Sequence, residues 1–382
     1  MQIYKNFSYL YAAINPFMRK LLEKKVALLL VLVLFISCTP VLEKGSWEPD
    51  TYDALTALLK DKSCKGGYAV FDCDNTSIIH DITHSLMLYM VENLRFADAP
   101  EHCFTDGLGD TSIPLAGGSL TAAEMGAAVR DKYLAVKALA DGGMPLDSLR
   151  QTAAFSDWRS SFFAFYDAVC ATYDYGTLCL WEPSLATGYS PEELQEVGRA
   201  SLEYSLGFGK VWEEEWVTAD SLTRGWIDPG LVVLDETRNL YRALEKAGIT
   251  PYVCSASVEW LVELFVCDPE IGFGISPEQV FGLRFVTDEN GTFAYDTSYP
   301  QPFKEGKVAC IDSLIAPLHG GKQPLLVAGD SSGDLAMLTS YPEMRVGLIM
   351  NQYRGGKIEE LANRHDGRYY SQPVEIPKVP LQ

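Results

Sequence analysis

The sequence has no low-complexity tract and no internal repeat, and its 47% hydrophobic and 21% charged residues are ordinary for a folded chain. That composition argues against wholesale disorder. Basic residues are scarce, 31 Lys and Arg against 51 Asp and Glu, for a net charge of -20. A surface of that sign repels the phosphate backbone of nucleic acid, so no nucleic-acid partner is expected. A phosphorylated small molecule stays possible, because one bound divalent cation and one placed lysine reverse the potential inside a cleft. None of the nine cysteines forms a CxxC pair, which removes the usual signature of a redox dithiol or thiolate zinc site. There is also no run of about 20 apolar residues, the length a bilayer-crossing helix needs.

The longest apolar run, Val26 to Ile36, follows Lys5, Arg19, Lys20, Lys24 and Lys25 and has the pattern of a secretory leader. It ends in Phe35-Ile36-Ser37-Cys38, which resembles a bacterial lipobox, with Phe35 where leucine is usual. Residues 1–37 are therefore expected to be a lipoprotein-type signal peptide. Cys38 would be the lipid site, anchoring an exported protein to a membrane on its periplasmic or cell-surface side. The long stretch before the apolar run makes Met18 the more typical start. Eight cysteines then remain. An oxidising compartment permits disulfides among them, although Cys73 and Cys254, at the ends of buried strands, read as core residues.

At 382 residues the chain is long enough for a main domain and a sizeable second one. Residues 39–65 read as a polar tether and a short helix from Thr51 to Lys60, with Leu55, Leu58 and Leu59 on one side. Gly67 to Asp72, Thr250 to Cys254 and Leu325 to Asp330 are short apolar runs ending in polar residues, and Arg345 to Met350 is a fourth such strand. Leu240 to Ala247 is a helix capped by Gly248. Apolar strands alternating with helices predict an α/β fold with a Rossmann-like parallel sheet covered on both faces. The core is placed at residues 66–96 and 229–382. Residues 97–228 lack strand-like alternation and predict a mainly helical cap domain inserted after the first strand. Phe281, Leu283 and Phe285, then Asn290-Gly291, then Phe293 and Tyr295 predict a β-hairpin.

Two strand ends carry the acids. Asp72-Cys73-Asp74-Asn75-Thr76 puts two carboxylates two residues apart, and both reach one site only if the chain turns there. Gly329-Asp330-Ser331-Ser332-Gly333-Asp334 ends another strand the same way, and ends of parallel strands meet on one edge. Converging carboxylates repel unless a cation sits among them. A hard ion with oxygen ligands is implied, and magnesium suits one or two carboxylates plus phosphate oxygens. Ser255, opening a helix at Ser257, and Lys307 or Lys304 supply an anion with donors and positive charge.

These pieces resemble the haloacid dehalogenase superfamily, in particular its phosphatases of the phosphoserine and phosphorylcholine phosphatase type. The resemblance covers about residues 66–96 and 232–350 and rests on four motifs in order: DxDxT at Asp72, Asp74 and Thr76; the strand ending in Ser255; the Lys307 segment; and GDxxxD at Asp330 and Asp334. It implies that Asp72 is nucleophile and metal ligand. It implies that Asp74 gives its backbone carbonyl to the metal and its carboxyl to acid–base work. Asp330 completes the metal site, Asp334 supports it with Thr76 nearby, and Ser255 and Lys307 hold phosphoryl oxygens. The usual spacing favours Lys307 over Lys304. Asp74 also separates this chain from the dehalogenases, which lack that acid because no alkoxide needs a proton.

The expected activity is a metal-dependent phosphomonoester hydrolase acting through an aspartyl-phosphate on Asp72, with phosphocholine or phosphoserine as the type of substrate. The competing readings are a lipid-anchored binding protein on a phosphatase scaffold and a phosphotransferase with the same nucleophile. Taken singly, Asp74 or Asp334 could cap a helix. Asp81 sits where the resemblance puts a substrate-contacting glutamate, yet a helix start serves equally well. His80 and His84 have helical i, i+4 spacing but no third zinc ligand. Trp212 and Trp216, read as one face of a helix beside three glutamates, suggest a cage for a quaternary ammonium or an interdomain packing pair.

Overall fold

The computed structural model describes residues 42–97, 104–218, 223–287 and 293–378. The leader, Met18, Cys38, Cys103 and the Asn290-Gly291 turn lie outside the described residues. Among those residues no helix is long and apolar enough to cross a membrane. Leu42–Gln382 forms one compact unit.

Helix α1 (Pro49–Lys60) begins with proline in its first turn and buries Leu55, Leu58 and Leu59, the apolar face read from the sequence. Strand β1 (Tyr68–Phe71) is buried throughout. Helix α2 (Ile82–Asn93) follows and leads into the insert. There α3 (Ala122–Asp141) and α4 (Ala153–Thr172) pack around the buried rings of Phe104, Tyr133, Trp158 and Phe162, α5 (Tyr175–Ser184) joins them through Trp181 Nε1–H on Phe104 O, and α6 (Pro191–Leu206) packs on α2. Capping boxes at Thr121/Glu124 and Ser190/Glu193 start α3 and α6.

The insert is not all helix. Strands β2 (Glu214–Val217) and β3 (Arg224–Ile227) form an antiparallel ribbon. In β3, Gly225 and Ile227 face inward while Arg224 and Trp226 face out, a period of two whose inward glycine hides it from a hydrophobicity pattern. Trp216 therefore sits in an extended strand, and the helical face shared with Trp212 does not exist. Aromatic and branched side chains at 216, 217, 226 and 227 prefer the pleated ribbon.

The chain returns through α7 (Asp235–Ala247), ended by Gly248 in the left-handed conformation (φ 76°), into β4 (Thr250–Val258) and α8 (Glu259–Val266). That helix starts two residues later than the sequence predicts, because Ser255 to Val258 stay extended beside β5 (Val280–Leu283). The predicted hairpin is split: β5 joins the main sheet, and only β6 (Phe285–Thr287) with β7 (Phe293–Tyr295) forms the antiparallel pair. The last elements are α9 (Glu305–Cys310), β8 (Leu326–Gly329), α10 (Leu335–Thr339), β9 (Val346–Asn351), α11 (Gly356–Ala362) and β10 (Tyr369–Pro373). The sheet has six parallel strands in the order β10-β9-β8-β1-β4-β5. The fold is thus the predicted α/β, Rossmann-like parallel sheet with a mainly helical insert, extended by the edge strand β10. Phe71 is in register with Val253 on one side and Ala328 on the other, so the residues after β1 and β8 emerge side by side. The seven described cysteines are free thiols, with Cys73 and Cys254 fully buried in the core.

The ribbon lies against α4 so closely that a Cβ on Gly225 would fall 2.5 Å from the Ala164 amide nitrogen and 2.7 Å from Phe163. Backbone cannot move aside as a flexible side chain can. Gly225→Val should lower stability by about 1–3 kcal/mol, seen as a fall in Tm with unchanged far-ultraviolet circular dichroism. An unaltered Tm would contradict this seating of the ribbon.

Candidate active site

Strand β1 makes its last ladder bond at Asp72, whose N–H donates to Ala328 O at 3.0 Å. The chain then turns at once. The amides of Thr76, Ser77 and Ile78 all donate to Cys73 O, and Asn75 adopts φ 56°, a conformation asparagine tolerates. This is the turn that lets two carboxylates two residues apart face one site. Asp72 Oδ1 accepts from Cys73 N–H at 2.8 Å and pairs with Lys307 Nζ at 2.7 Å. Asp74 Oδ1 accepts from Ile82 N–H at 2.8 Å, and its Oδ2 accepts from the Ser257 hydroxyl at 2.6 Å. Ser257 Oγ in turn accepts from Thr83 Oγ1 at 3.1 Å.

The second acid pair comes from the turn after β8. Lys307 Nζ donates to Asp334 Oδ1 at 2.6 Å, while Asp334 Oδ2 accepts from the amides of Asp330 and Ser331 at 3.0 and 3.1 Å. Both Asp334 oxygens are therefore committed. Gly329 permits this, since a Cβ there would lie 2.5 Å from the Asp334 Cβ. Asp330 Oδ1 accepts from Thr76 Oγ1 at 3.4 Å, but Asp330 Oδ2 is buried with no hydrogen-bond partner. Carboxylate oxygens of Asp72, Asp330 and Asp334 all lie within 4.8 Å of one another. With Asp334 occupied, Asp72 and Asp330 are the side chains able to hold a cation. A buried carboxylate oxygen without a hydrogen bond, in an all-oxygen donor set, fits a hard divalent ion such as magnesium.

Electrostatics agree with the geometry. Burial and then the Asp334 charge push the Asp72 carboxyl up to about 7, against the opposing pull of Lys307. Asp330 and Asp74 are pushed well up chiefly by burial, with Asp334 and Asp81 adding to it respectively. Burial alone would neutralise Lys307, yet Asp334 and Asp72 hold it charged.

The geometry separates the two candidate lysines. Lys307 is buried on Asp72 and Asp334, whereas Lys304 is exposed, lines the cavity above and lies over the Tyr175 ring at 5.2 Å. Ser255 is fully buried with its hydroxyl accepting from Ser257 N–H, and the cavity wall from that segment is Ala256 and Ser257. The expected helix N-terminus behind Ser255 is displaced to Glu259. Asp81 does cap α2, accepting from His84 N–H at 2.8 Å, and it also lines the cavity. His80 and His84 bond the returning chain at Gly230 O and Asp228 N, at 3.2 Å each, and join no metal cluster among the described residues.

A cavity of about 400 Å³ opens over the acids. Its core wall includes Asp72, Asp74, Asp330, Lys304 and Arg354, and its insert wall includes Tyr166, Tyr175 and Glu182. Tyr166 OH donates to Glu182 Oε1 at 2.7 Å. Trp212 and Trp216 are not in that wall. Lys210 lies over the Trp212 ring at 5.0 Å, Arg159 over Trp216 at 4.2 Å, and Phe163 packs on Trp216, so the chain's own cations take the faces a ligand would need. Ser257, Glu182, Tyr166 and Arg354 are site residues that the sequence analysis missed. Ser257, two residues beyond Ser255, and Arg354, just past a strand end, had positional signals; Glu182 had none.

A Rossmann-like parallel sheet with an acid cluster and paired lysine at its carboxyl edge, roofed by a mainly helical insert, is the arrangement that the resemblance to haloacid dehalogenase-type phosphatases implies. No family model matches the chain. Among particular proteins, it is 26% identical over 313 residues to phosphorylcholine phosphatase of Pseudomonas aeruginosa, covering 76% of this chain and 75% of that one. A conserved functionally unknown protein from Anaerococcus prevotii is similar in structure, with a TM-score of 0.75 and 27% identity, covering 90% of this chain and 99% of that one.

Burial and Asp81 push the Glu182 carboxyl up to about 8 from an ordinary 4.5. A raised folded pKa means its stabilising contribution is complete below pH 4.5 and is lost as pH climbs through 8. Glu182→Gln should therefore leave Tm unchanged near pH 4 and raise stability at pH 8.5. A gain of about 2 kcal/mol is expected, below the shift's full value because the cavity admits water. A wild-type and variant difference that does not grow across this range would refute the buried environment of Glu182.

Proposed function

We propose that this chain is a phosphomonoesterase that works through an aspartyl-phosphate on Asp72. The observation that carries the reading is the buried bridge from Asp72 through Lys307 to Asp334, set beside an oxygen of Asp330 that makes no hydrogen bond. Such an arrangement holds a carboxylate rigid and leaves positive charge where a phosphoryl group would gather negative charge. Asp72, Asp330 and the Asp74 backbone carbonyl would hold a magnesium ion, which supplies charge for the phosphoryl oxygens. Similarity to a phosphorylcholine phosphatase supports the same reaction class.

Bonds to the Asp72 carboxylate fall on Oδ1, so Oδ2 is the oxygen that attacks phosphorus in line. As the Asp72 Oδ–P bond forms, the P–O bond to the alcohol breaks, and protonated Asp74 gives its proton to the departing oxygen. Burial suits Asp74 to hold that proton, and Ser257 with the Ile82 amide orients the carboxyl. The Asp74 carboxylate then takes a proton from water, whose oxygen attacks phosphorus. Free phosphate leaves and Asp72 is restored. Ser255 acts by holding the Ser257 amide in place behind the phosphoryl site.

On the insert side, Glu182 and Asp81 beside Tyr166 and Tyr175 support an ester whose alcohol carries a cation, of the phosphocholine type. These residues take the part first assigned to Trp212 and Trp216. Export and lipid anchoring at Cys38 belong to the same proposal, supported by the leader pattern alone.

Phosphate release in magnesium should fall at least about 10³-fold in Asp72→Asn, with the fold retained by circular dichroism. At pH 8.5, where Glu182 is ionised, Glu182→Gln should raise KM for phosphocholine about tenfold while leaving a neutral alkyl phosphate unaffected. Activity retained by Asp72→Asn removes the nucleophile, and equal effects on both esters remove the cation site.

A further inference from the structure

Three carboxylates meet at the sheet edge, Asp72, Asp330 and Asp334, and Lys307 neutralises only one of them. A second fixed cation stands at the rim. Arg354, in the loop after β9, brings Nη1 to 3.4 Å from Asp330 Oδ2, the oxygen that has no hydrogen-bond partner. The approach is close enough for charge but makes no hydrogen bond, so the lone pair stays available. Its guanidinium is held from behind: Nε and Nη2 both donate to Gln352 Oε1, at 3.1 and 2.6 Å. Gln352 Nε2 donates in turn to Asn75 Oδ1 at 2.9 Å, and that same oxygen accepts from His80 N–H at 3.1 Å. A relay of side chains thus ties the orientation of Arg354 to the turn that carries Asp72 and Asp74. The Arg354 side chain is 48% exposed and lines the cavity. An arginine that merely packed, or merely paired on the surface, would need no such clamp.

We infer that Arg354 is a positioning residue that sets the balance of the site between a divalent cation and a phosphate dianion. This rests on the phosphomonoesterase reading and assigns it a residue outside the four motifs. A fixed positive charge beside Asp330 opposes a second cation on that carboxylate and attracts the dianion that must sit above it. In a water-like medium, one unit charge a few ångströms from a dication is worth roughly a factor of ten in affinity. The guanidinium fork also matches phosphate geometry, which an ammonium does not.

The test is calorimetric titration of Mn2+ into the folded protein, followed by inorganic phosphate as a competitive inhibitor in saturating magnesium. Arg354→Gln should bind Mn2+ about tenfold more tightly and phosphate about tenfold more weakly, with KM for the ester raised and kcat little changed. Arg354→Lys should restore most of the Mn2+ effect and less of the phosphate effect. Gln352→Ala, which frees the clamp and keeps the charge, should weaken phosphate alone. A half-exposed arginine contributes little to folding, so Tm should hold in all three. If wild type binds Mn2+ and Arg354→Gln binds both probes equally well, the inference fails and the phosphomonoesterase reading stands. If wild type binds no Mn2+, the metal site itself fails and takes the inference with it.

Discussion

The ion bridge of Lys307 with Asp72 and Asp334 is the constraint on which the site and the strand ends around it depend. Lys307 is 2% exposed and Asp334 0%. Isolated charges cost several kcal/mol each at that depth, and they are tolerated only with good geometry and full hydrogen bonding. Asp334 meets the condition with both oxygens occupied by Lys307 and two backbone amides. Asp330 does not: its Oδ2 makes no hydrogen bond and is met only by the Arg354 charge at 3.4 Å. Unsatisfied buried charge does not improve stability. A buried carboxylate oxygen with no hydrogen bond, in an all-oxygen cluster, fits a hard divalent cation.

The parallel sheet makes this cluster possible. Asp72 and Asp330 follow strands that point the same way, Ser257 stands near the end of the parallel strand β4, and register brings these positions together. Glycine at 329 lets the second acidic turn fold back until Asp334 lies beneath the strand end. Positions at strand ends are held by ladder bonds on both sides, which suits groups whose alignment matters to fractions of an ångström. The roof is different in kind. It is helical, joined through α2 and the segment returning near Asp228, and it offers Tyr166, Tyr175 and Glu182 from α4 and α5 to the same cavity.

Much of the core was legible because its signals are local. A short apolar run stopped by a polar residue, an acid at β1 and β8, marks a buried parallel strand with a functional end, and it located β1, β4, β8 and β9 to within a few residues. The resemblance also favoured Lys307 over Lys304, which the residues alone left open, and the structure puts only Lys307 on Asp72. What was illegible depended on tertiary context. The ribbon at 214–227 escaped because a glycine holds its inward position, and the Trp212/Trp216 spacing of four imitates a helical face whatever the backbone does. The edge strand Tyr369–Pro373 is polar and ends in proline, so its sequence lacks the apolar run that marked the others. Glu182 lies 110 residues from Asp72 in the chain, and no pattern within the insert announces that it reaches the acids.

The strongly acidic composition takes on a local meaning at the cavity. A chain of net charge -20 would repel a phosphate ester as a whole. Over the acids, however, the fixed cations Lys307 and Arg354 stand on the core side, while Asp81 and Glu182 stand towards the insert. On the proposed reading, a divalent ion held by Asp72 and Asp330 beside Lys307 and Arg354 would make the core end positive, while the far wall carries the acids Asp81 and Glu182. A zwitterionic ester can satisfy both ends at once, whereas a simple dianion satisfies only one. On the proposed reading this separates two tasks physically: ladder-held strand ends would carry the chemistry, and the insert would set which alcohol the cavity accepts.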